Sequence, residues 1–115
     1  MEIYFKSKRL AKEFEKKDLK RKHGELRSKK IMQRLAEMAA SDNLEILHKL
    51  PGPRCHQLTN NLDEQFSLDL DHPYRLIIEV ADEPIPRKED KGISLQKVSK
   101  VCIIEITNTH GRTNG

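Results

Sequence analysis

The chain has 115 residues and a mass of 13.4 kDa, which fits one domain and leaves no room for a second. Charged residues make up 35% of the chain and aromatic residues only 4%, so we expect a small core under a highly charged surface. No apolar run reaches the ~18 residues of a membrane span, no apolar signal-peptide segment follows the first methionine, and two cysteines are too few for a disulfide framework. These features exclude membrane-spanning and disulfide-stapled proteins, and we expect a cytoplasmic domain.

The basic residues are concentrated in the first half of the chain, although the formal net charge is only +4. Residues 1–58 carry 15 Lys or Arg against 8 Asp or Glu, whereas residues 59–115 carry 7 against 10. Within residues 6–34 there are 13 basic residues and 4 acidic ones. Such a segment creates a positive field that attracts polyanions, and it therefore favours a nucleic-acid contact. The alternative is a solvated helical face, because Lys and Glu are good helix formers.

The first half of the chain predicts one strand followed by two helices. Residues 2–6 are β-prone and partly apolar, which is typical of a short strand. Ser7 can cap a helix over 8–22, and Gly24 ends that helix because glycine readily adopts the left-handed conformation. The pattern that follows predicts a second helix over 25–40.

Apolar residues recur at helical spacing along both helices and predict the faces that enter the core, with the intervening Lys and Arg side chains pointing outward. A short third turn over 42–49 carries Leu44 and Leu47 behind capping residues at 41–43. The prolines within 50–53 end the helical half, because proline does not continue a helix. The predicted core residues of the two long helices are Leu10, Phe14 and Leu19 in the first and Ile31, Leu35 and Met38 in the second, flanked by Met32 and Ala39.

The second half of the chain predicts four strands separated by turns and one long link. The last strand is apolar on both faces at its centre, so it should lie in the middle of the sheet rather than at an edge. The link over 82–97 contains two prolines and one glycine, and a link of that length is often functional or mobile. The predicted strands cover 54–59, 64–71, 74–81 and 98–108, with a turn at 60–63.

Helices grouped first and strands grouped second favour the α+β class. We predict an N-terminal strand and two main helices packed on an antiparallel sheet of about four to five strands. Period-two alternation in two of the strands predicts which side chains face the helices. The inward-facing residues are Phe66, Leu68 and Leu70 in one strand and Leu76, Ile78 and Val80 in the next.

Two histidines and two arginines lie in or beside the predicted sheet. Arg54 and His56 share one face of the second strand, Arg75 lies on the polar face of the fourth, and His110 follows the end of the fifth. If these side chains converge, they suit the cleavage of an RNA phosphodiester. Imidazoles can take the proton of a ribose 2′-hydroxyl and protonate the leaving oxygen, and guanidiniums can neutralise the phosphorane between those steps.

Other interpretations of these residues stay open. Taken singly, each histidine fits an ordinary surface position, and Arg75 fits a salt bridge to Asp69 or Glu79. A zinc site built from the cysteines and histidines lacks the usual ligand spacing. Cys55 fits a small buried apolar side chain better than a nucleophile. We therefore predict no metal and no other cofactor.

Four segments of the chain, taken together and in their order, form a familiar pattern. They are LPGPRCHQL at 50–58, QFSLDL at 65–70, HPYRLI at 72–77 and the closing stretch IEITNTH at 104–110. This ordered set resembles the HigB-like "plasmid maintenance system killer" branch of the RelE/ParE toxin superfamily. The order of strand, helices and strand meander is similar too, so the likeness covers nearly the whole chain. It implies a single toxin domain over 1–110 and a flexible tail over 111–115.

The resemblance implies the toxin of a type II toxin–antitoxin pair, which cuts messenger RNA on the ribosome without a metal and so inhibits translation. A helix-turn-helix antitoxin of the HigA kind is expected to neutralise it and to carry the pair to operator DNA. His56 matches the histidine of an Arg-x-His-x-Leu stretch, with a role in proton transfer. Arg75 matches a phosphate-binding arginine, and His110 matches a histidine at the end of a terminal signature, completing the expected catalytic set.

Several positions differ from the family pattern. The terminal signature Asp-Tyr-His reads Asn108-Thr109-His110, and a lysine that often follows the Arg-x-His-x-Leu stretch is replaced by Thr59. Lysines on the central strand of RelE correspond to Ser67 and Asp69. We expect the substrate-binding site to be lined by Arg54, Thr59, Ser67 and Asn108.

From the same resemblance we expect the basic segment to contact ribosomal RNA. Two alternatives remain open because of the substitutions in the catalytic set. One is a non-enzymatic toxin on the same scaffold, as in ParE relatives that poison DNA gyrase, and the other is a degenerate toxin that binds only antitoxin and operator DNA. The residues expected to contact RNA or the ribosome are Lys16, Lys17, Lys20, Arg21, Lys22, Arg27, Lys29 and Lys30.

Overall fold

The computed structural model describes residues 1–59 and 64–108. The predicted turn at 60–63, the predicted catalytic residue His110 and the predicted tail at 111–115 lie outside the described residues. Within the described part, every helix is too short or too polar to span a membrane.

The described residues contain three α-helices, which form one layer of the molecule. The predicted capping of two of them is confirmed. The Ser7 hydroxyl accepts a hydrogen bond of 3.0 Å from the Leu10 N–H, and the Asn43 side chain accepts one of 3.0 Å from the Ile46 N–H. The helices are α1 at Lys8–Glu13, α2 at Lys16–Ala40 and α3 at Leu44–Lys49.

The prediction of one helix over 8–22 is wrong, because the chain breaks between α1 and α2. Leu10 and Phe14 are four residues apart and share a helix face, but Leu19 follows after five more, out of step with a period of about 3.6 residues. The break restarts the helix in a new phase, so that Phe14 and Leu19 are 6% and 0% exposed. The Phe14 ring packs 5.2 Å from the ring of Phe5.

A kink at Gly24 divides α2, and it confirms the predicted helix end at this glycine. Its φ of 81° and ψ of 173° are not helical. The second predicted helix, over 25–40, corresponds to the part of α2 that follows the kink. Ile31 and Met38 on this part are fully buried, as predicted, whereas Met32 is 41% exposed.

Replacing Gly24 with alanine should lower the free energy of unfolding by about 1–3 kcal/mol, because this backbone conformation is essentially restricted to glycine. An added Cβ meets nothing within 4 Å, so the cost comes from the backbone alone. Gly52→Ala is the matched control, since its Cβ makes only ordinary contacts at 3.7 Å. Urea unfolding of both variants measures the difference, and equal midpoints would contradict the strain at Gly24.

In the described residues, five strands form one sheet in the order β1-β5-β4-β3-β2. The predicted central position of the last strand is confirmed, because β5 lies between β1 and β4. The predicted α+β class, with helices packed on a largely antiparallel sheet, is confirmed, and the one difference is that β1 and β5 are parallel. The helices and the other strands provide the long crossover that parallel neighbours need. The strands are β1 at Glu2–Phe5, β2 at His56–Gln57, β3 at Gln65–Asp69, β4 at Tyr74–Val80 and β5 at Lys100–Asn108.

The sheet has one face in the core and one face away from the helices, as the alternation predicts. Phe66, Leu68, Leu76 and Ile78 pack into the same cluster as the buried residues of α2 and are at most 1% exposed. The opposite face, called the outer face below, is defined by the polar residues His56, Ser67, Asp69, Arg75 and Thr107. The candidate site therefore lies on the side of the sheet that the helices leave uncovered.

The long link over 82–97 packs against the rest of the chain through a buried side chain and through hydrogen bonds of its first residue. It contains a 3₁₀ turn at Leu95–Lys97 and buries Ile93. The Asp82 carboxylate accepts hydrogen bonds of 3.0–3.1 Å from the N–H groups of Ser99 and Lys100. Burial acts to raise the pKa of Asp82, but these hydrogen bonds outweigh it and lower the pKa from its ordinary value.

Candidate active site

Strand register assembles the candidate site on the outer face. His56 in β2 is directly opposite Ser67 in β3, and Asp69 in β3 is directly opposite Arg75 in β4. Directly paired residues point to the same face, and so do residues two apart on one strand. These four side chains therefore form one polar group across three strands. The sequence predicted a shared face for Arg54 and His56, and the register adds Arg75 to that face.

Arg75 is held between two residues of β3. One nitrogen of its guanidinium, Nη1, donates to the Ser67 hydroxyl at 3.4 Å and lies 3.2 Å from Oδ1 of Asp69. The salt bridge to Asp69, one of the two alternatives that the sequence left open, is thus present. About a third of the Arg75 side chain (32%) remains exposed, so its free edge is open to an anion.

His56 begins β2, and Arg54 lies two residues before that strand with a φ of 47°, so the strand predicted over 54–59 is shorter than expected. The Arg54 side chain is 78% exposed, and its Nε lies 3.6 Å from Oδ2 of Asp69. Its carbonyl oxygen lies 3.2 Å from Nδ1 of His56. A carbonyl oxygen only accepts, so this hydrogen bond requires the hydrogen on Nδ1 and leaves the Nε2 lone pair of the neutral ring available as a base.

The remaining predicted site residues are placed less uniformly. Ser67 is fully buried beneath Arg75, and Thr59 is exposed beyond the end of β2. Asn108 in β5 pairs with Tyr74 in β4, the neighbour of Arg75, so its side chain points away from the face that carries Arg75. Thr107 is the residue opposite Arg75 and is 8% exposed, which makes it a neighbour of the site that the sequence did not predict.

Residues 3–88 match a family model described as the RelE-like toxin of the type II toxin–antitoxin system HigB. The match covers more than half of the chain. The chain belongs to the HigB-like toxins. Searches of curated proteins and of solved structures found no match to it. The matched residues include His56 and Arg75, whereas Asn108 and His110 lie beyond them. Membership of a type II toxin family implies an antitoxin as partner.

A buried arginine of this HigB-like toxin supports the site from the helical layer. Arg34 is 4% exposed, which corrects the expectation that the basic side chains of α2 all point outward. Its Nε donates to the Asp69 carbonyl at 2.7 Å, its Nη2 to the Gly52 carbonyl at 3.1 Å and its Nη1 to Glu37 Oε1 at 2.8 Å. Arg34 therefore joins the end of β3 to the turn that precedes Arg54.

Arg27, seven residues earlier on α2, makes a second connection to the sheet, at the hairpin formed by β3 and β4. Its guanidinium donates to both carboxylate oxygens of Asp71 at 3.0–3.2 Å and stacks 3.4 Å from the centroid of the Tyr74 ring. Tyr74 begins β4, next to Arg75. Among the residues predicted to contact RNA, Arg27 is thus the one engaged with the hairpin that carries the site.

Six of the other predicted RNA-contact residues are exposed on α2, whereas Lys30 is half-buried. Lys20 pairs with Glu25 at 2.9 Å, Lys22 pairs with Glu13 at 2.7 Å, and Arg21 pairs with Asp18. Such exposed pairs are weak and screened by salt, so they leave the cations available to a polyanion. Four of the residues line one shallow depression at the start of α2: Lys16, Lys17, Lys20 and Arg21.

Neither cysteine chemistry nor a ready metal cluster accompanies this site. Burial raises the pKa of Cys55 to about 12, so its thiol stays protonated at neutral pH and is a poor nucleophile. Across residues 1–59 and 64–108, no group of three or more His, Cys, Asp or Glu side chains has the geometry to hold a metal ion.

Proposed function

We propose that this HigB-like toxin is a ribosome-dependent endoribonuclease, which cleaves messenger RNA in the cytoplasm and so inhibits translation. One observation carries the proposal: the His56 imidazole and the Arg54 and Arg75 guanidiniums share one open face of the sheet within the family-matched residues. A base beside two cations is the arrangement that phosphodiester cleavage by a ribose hydroxyl needs.

The proposed step uses side chains alone. His56 Nε2 takes the proton of the 2′-hydroxyl as that oxygen bonds to phosphorus, and the bond from phosphorus to the 5′-oxygen breaks. Arg75, with Arg54 beside it, neutralises the charge that builds on the phosphorane oxygens. A second group must give a proton to the leaving 5′-oxygen, and His110, the other histidine of the predicted catalytic set, is the proposed donor. The products are a 2′,3′-cyclic phosphate and a 5′-hydroxyl end.

Dependence on the ribosome follows from how little of the substrate this face can hold. The group contains none of the large aromatic side chains, Phe, Tyr or Trp, on which a base stacks best, since its members are His, Ser, Asp, Arg and Thr. Positioning of the message must therefore come from outside the site. The exposed cations of α2 suit contact with ribosomal RNA, whose phosphates they neutralise. A helix-turn-helix antitoxin that also binds operator DNA is the proposed partner in the resting cell.

Expression of the toxin without its antitoxin should arrest growth and produce new 5′ ends inside translated messages. Primer extension along abundant messenger RNAs maps those ends, and an empty vector provides the control. Growth arrest with unchanged ends, together with inhibition of gyrase supercoiling by the purified protein, would instead favour the non-enzymatic alternative. Normal growth with unchanged ends would favour a degenerate toxin.

A further inference from the structure

The Asp69 carboxylate lies between the two guanidiniums that the proposed function assigns to a phosphate. Its Oδ1 is 3.2 Å from Arg75 Nη1, and its Oδ2 is 3.6 Å from Arg54 Nε. The Asp69 side chain is 26% exposed, so it lies at the surface of the site rather than beneath it. A substrate phosphate that contacts both arginines must therefore compete with an anion that the chain itself supplies.

The backbone of Asp69 is fixed on both sides. Its N–H donates to the Pro53 carbonyl at 2.7 Å, and its carbonyl accepts the Arg34 Nε at 2.7 Å. Strand pairing with Arg75 adds a third restraint. The carboxylate therefore cannot withdraw by a shift of the chain, and an incoming anion can separate these ion pairs only by rotation of the side chains.

The two arginines differ in how easily they can move. Arg54 is 78% exposed, and its contact with Asp69 is the longer one. Arg75 is 32% exposed and is also braced by the Ser67 hydroxyl. An approaching phosphate consequently recruits Arg54 first, while Arg75 stays shared between the phosphate and Asp69.

We propose that Asp69 is a built-in anionic competitor, which holds Arg54 and Arg75 together in the free toxin and weakens their affinity for phosphodiesters. This inference rests on the proposed function, because it takes these arginines as the phosphate ligands. One negative charge among two positive ones lowers the local net charge and repels a phosphate placed beside it. Free RNA then binds poorly, and cleavage is confined to messages that the ribosome holds in place.

Asp69→Asn separates this role from a merely structural one. Asparagine keeps the size of the side chain and an oxygen acceptor for the arginines but removes the charge. If Asp69 served only to brace the arginines, its neutralisation would loosen them and weaken the binding of RNA. A competitor predicts the opposite sign.

The probe is a single-stranded RNA oligonucleotide with 2′-O-methyl riboses, which the proposed chemistry cannot cleave. Fluorescence anisotropy with the purified full chain should give a Kd for Asp69→Asn that is roughly five- to tenfold lower than for the wild type. The slope of log Kd against log salt should rise by about 0.7 for each additional phosphate that the protein neutralises. Asp42→Asn, which removes the same charge from the exposed turn between α2 and α3, should leave the Kd nearly unchanged.

Adding Arg75→Gln to Asp69→Asn should abolish the tighter binding, since the effect acts through that guanidinium. Unchanged or weaker binding by Asp69→Asn, or tighter binding that survives Arg75→Gln, would overturn the inference. The probe reports binding without chemistry. Suppose that Asp69→Asn tightens binding in this way, but expression of the wild-type toxin without antitoxin leaves the messenger-RNA ends unchanged. The endoribonuclease proposal then fails, and the competition by Asp69 stands.

Discussion

Replacing Arg34 with methionine is expected to lower the free energy of unfolding by about 3 kcal/mol or more. Methionine fills much of the same space but donates no hydrogen bond. The carbonyls of Asp69 and Gly52 then lose the guanidinium that bonds them at 2.7 and 3.1 Å, and Glu37 loses its ion pair. Each buried polar group left without a partner costs about 1–3 kcal/mol.

Arg21→Met is the matched control for this experiment, because the Arg21 side chain is 73% exposed. Its surface ion pair with Asp18 contributes little, so the expected change is within about 0.5 kcal/mol. Urea unfolding followed by circular dichroism measures both variants. A loss for Arg34→Met that is no larger than the loss for Arg21→Met would show that the buried guanidinium does not hold the hairpin in place.

The part of the fold that periodicity specifies was predictable from the sequence. Alternation in β3 and β4 correctly assigned Phe66 and Leu76 to the core, and the doubly apolar β5 was correctly placed inside the sheet. The break before α2 was not predicted, because the apolar residues of 8–22 were assigned to one helix although their spacing does not keep one helical phase. The five-residue step from Phe14 to Leu19 was the available signal.

The candidate site was predictable only strand by strand. Period two places Arg54 and His56 on one face of their own strand, but it does not say which residue of the next strand lies opposite. That depends on register, and the pairing of β4 with β5 shifts between Ile77 and Ile78. A shift of this kind changes the face of every residue beyond it, and it leaves Thr107 opposite Arg75. Asn108 was expected at the substrate only because it stands in the terminal signature of the resembled family, which carries no information on register.

Charge alone misrepresented the arginines of α2 for a different reason. A basic residue within a basic helix looks like part of a solvated face. Arg34, however, stands three residues after Ile31 and four before Met38, at the edge of the predicted apolar stripe, whereas Arg21 has no such apolar neighbours at helical spacing. The sequence contains this signal but not the partners of Arg34, which are the carbonyls of a proline-rich turn and of a strand end. Those acceptors exist only once the sheet has formed.

His56→Gln should reduce cleavage of ribosome-held messenger RNA by roughly 100-fold or more, the usual contribution of a positioned general base. Glutamine is close in size and keeps a hydrogen-bonding group near the Arg54 carbonyl, but it cannot take a proton at neutral pH. His56 is exposed, so the free energy of unfolding should change by no more than about 0.5 kcal/mol. A large loss of rate with unchanged stability separates a chemical role from a structural one.

His48→Gln provides the matched control, because His48 is also exposed but lies in the last turn of α3, in the helical layer. Single-turnover cleavage of a message bound to purified ribosomes gives the rate constant of the chemical step for each variant. His48→Gln should cleave like the wild type. If His56→Gln also cleaves within about threefold of the wild type, a difference far below that expected for a general base, the proton is removed by another group and only the two arginines retain a role on this face.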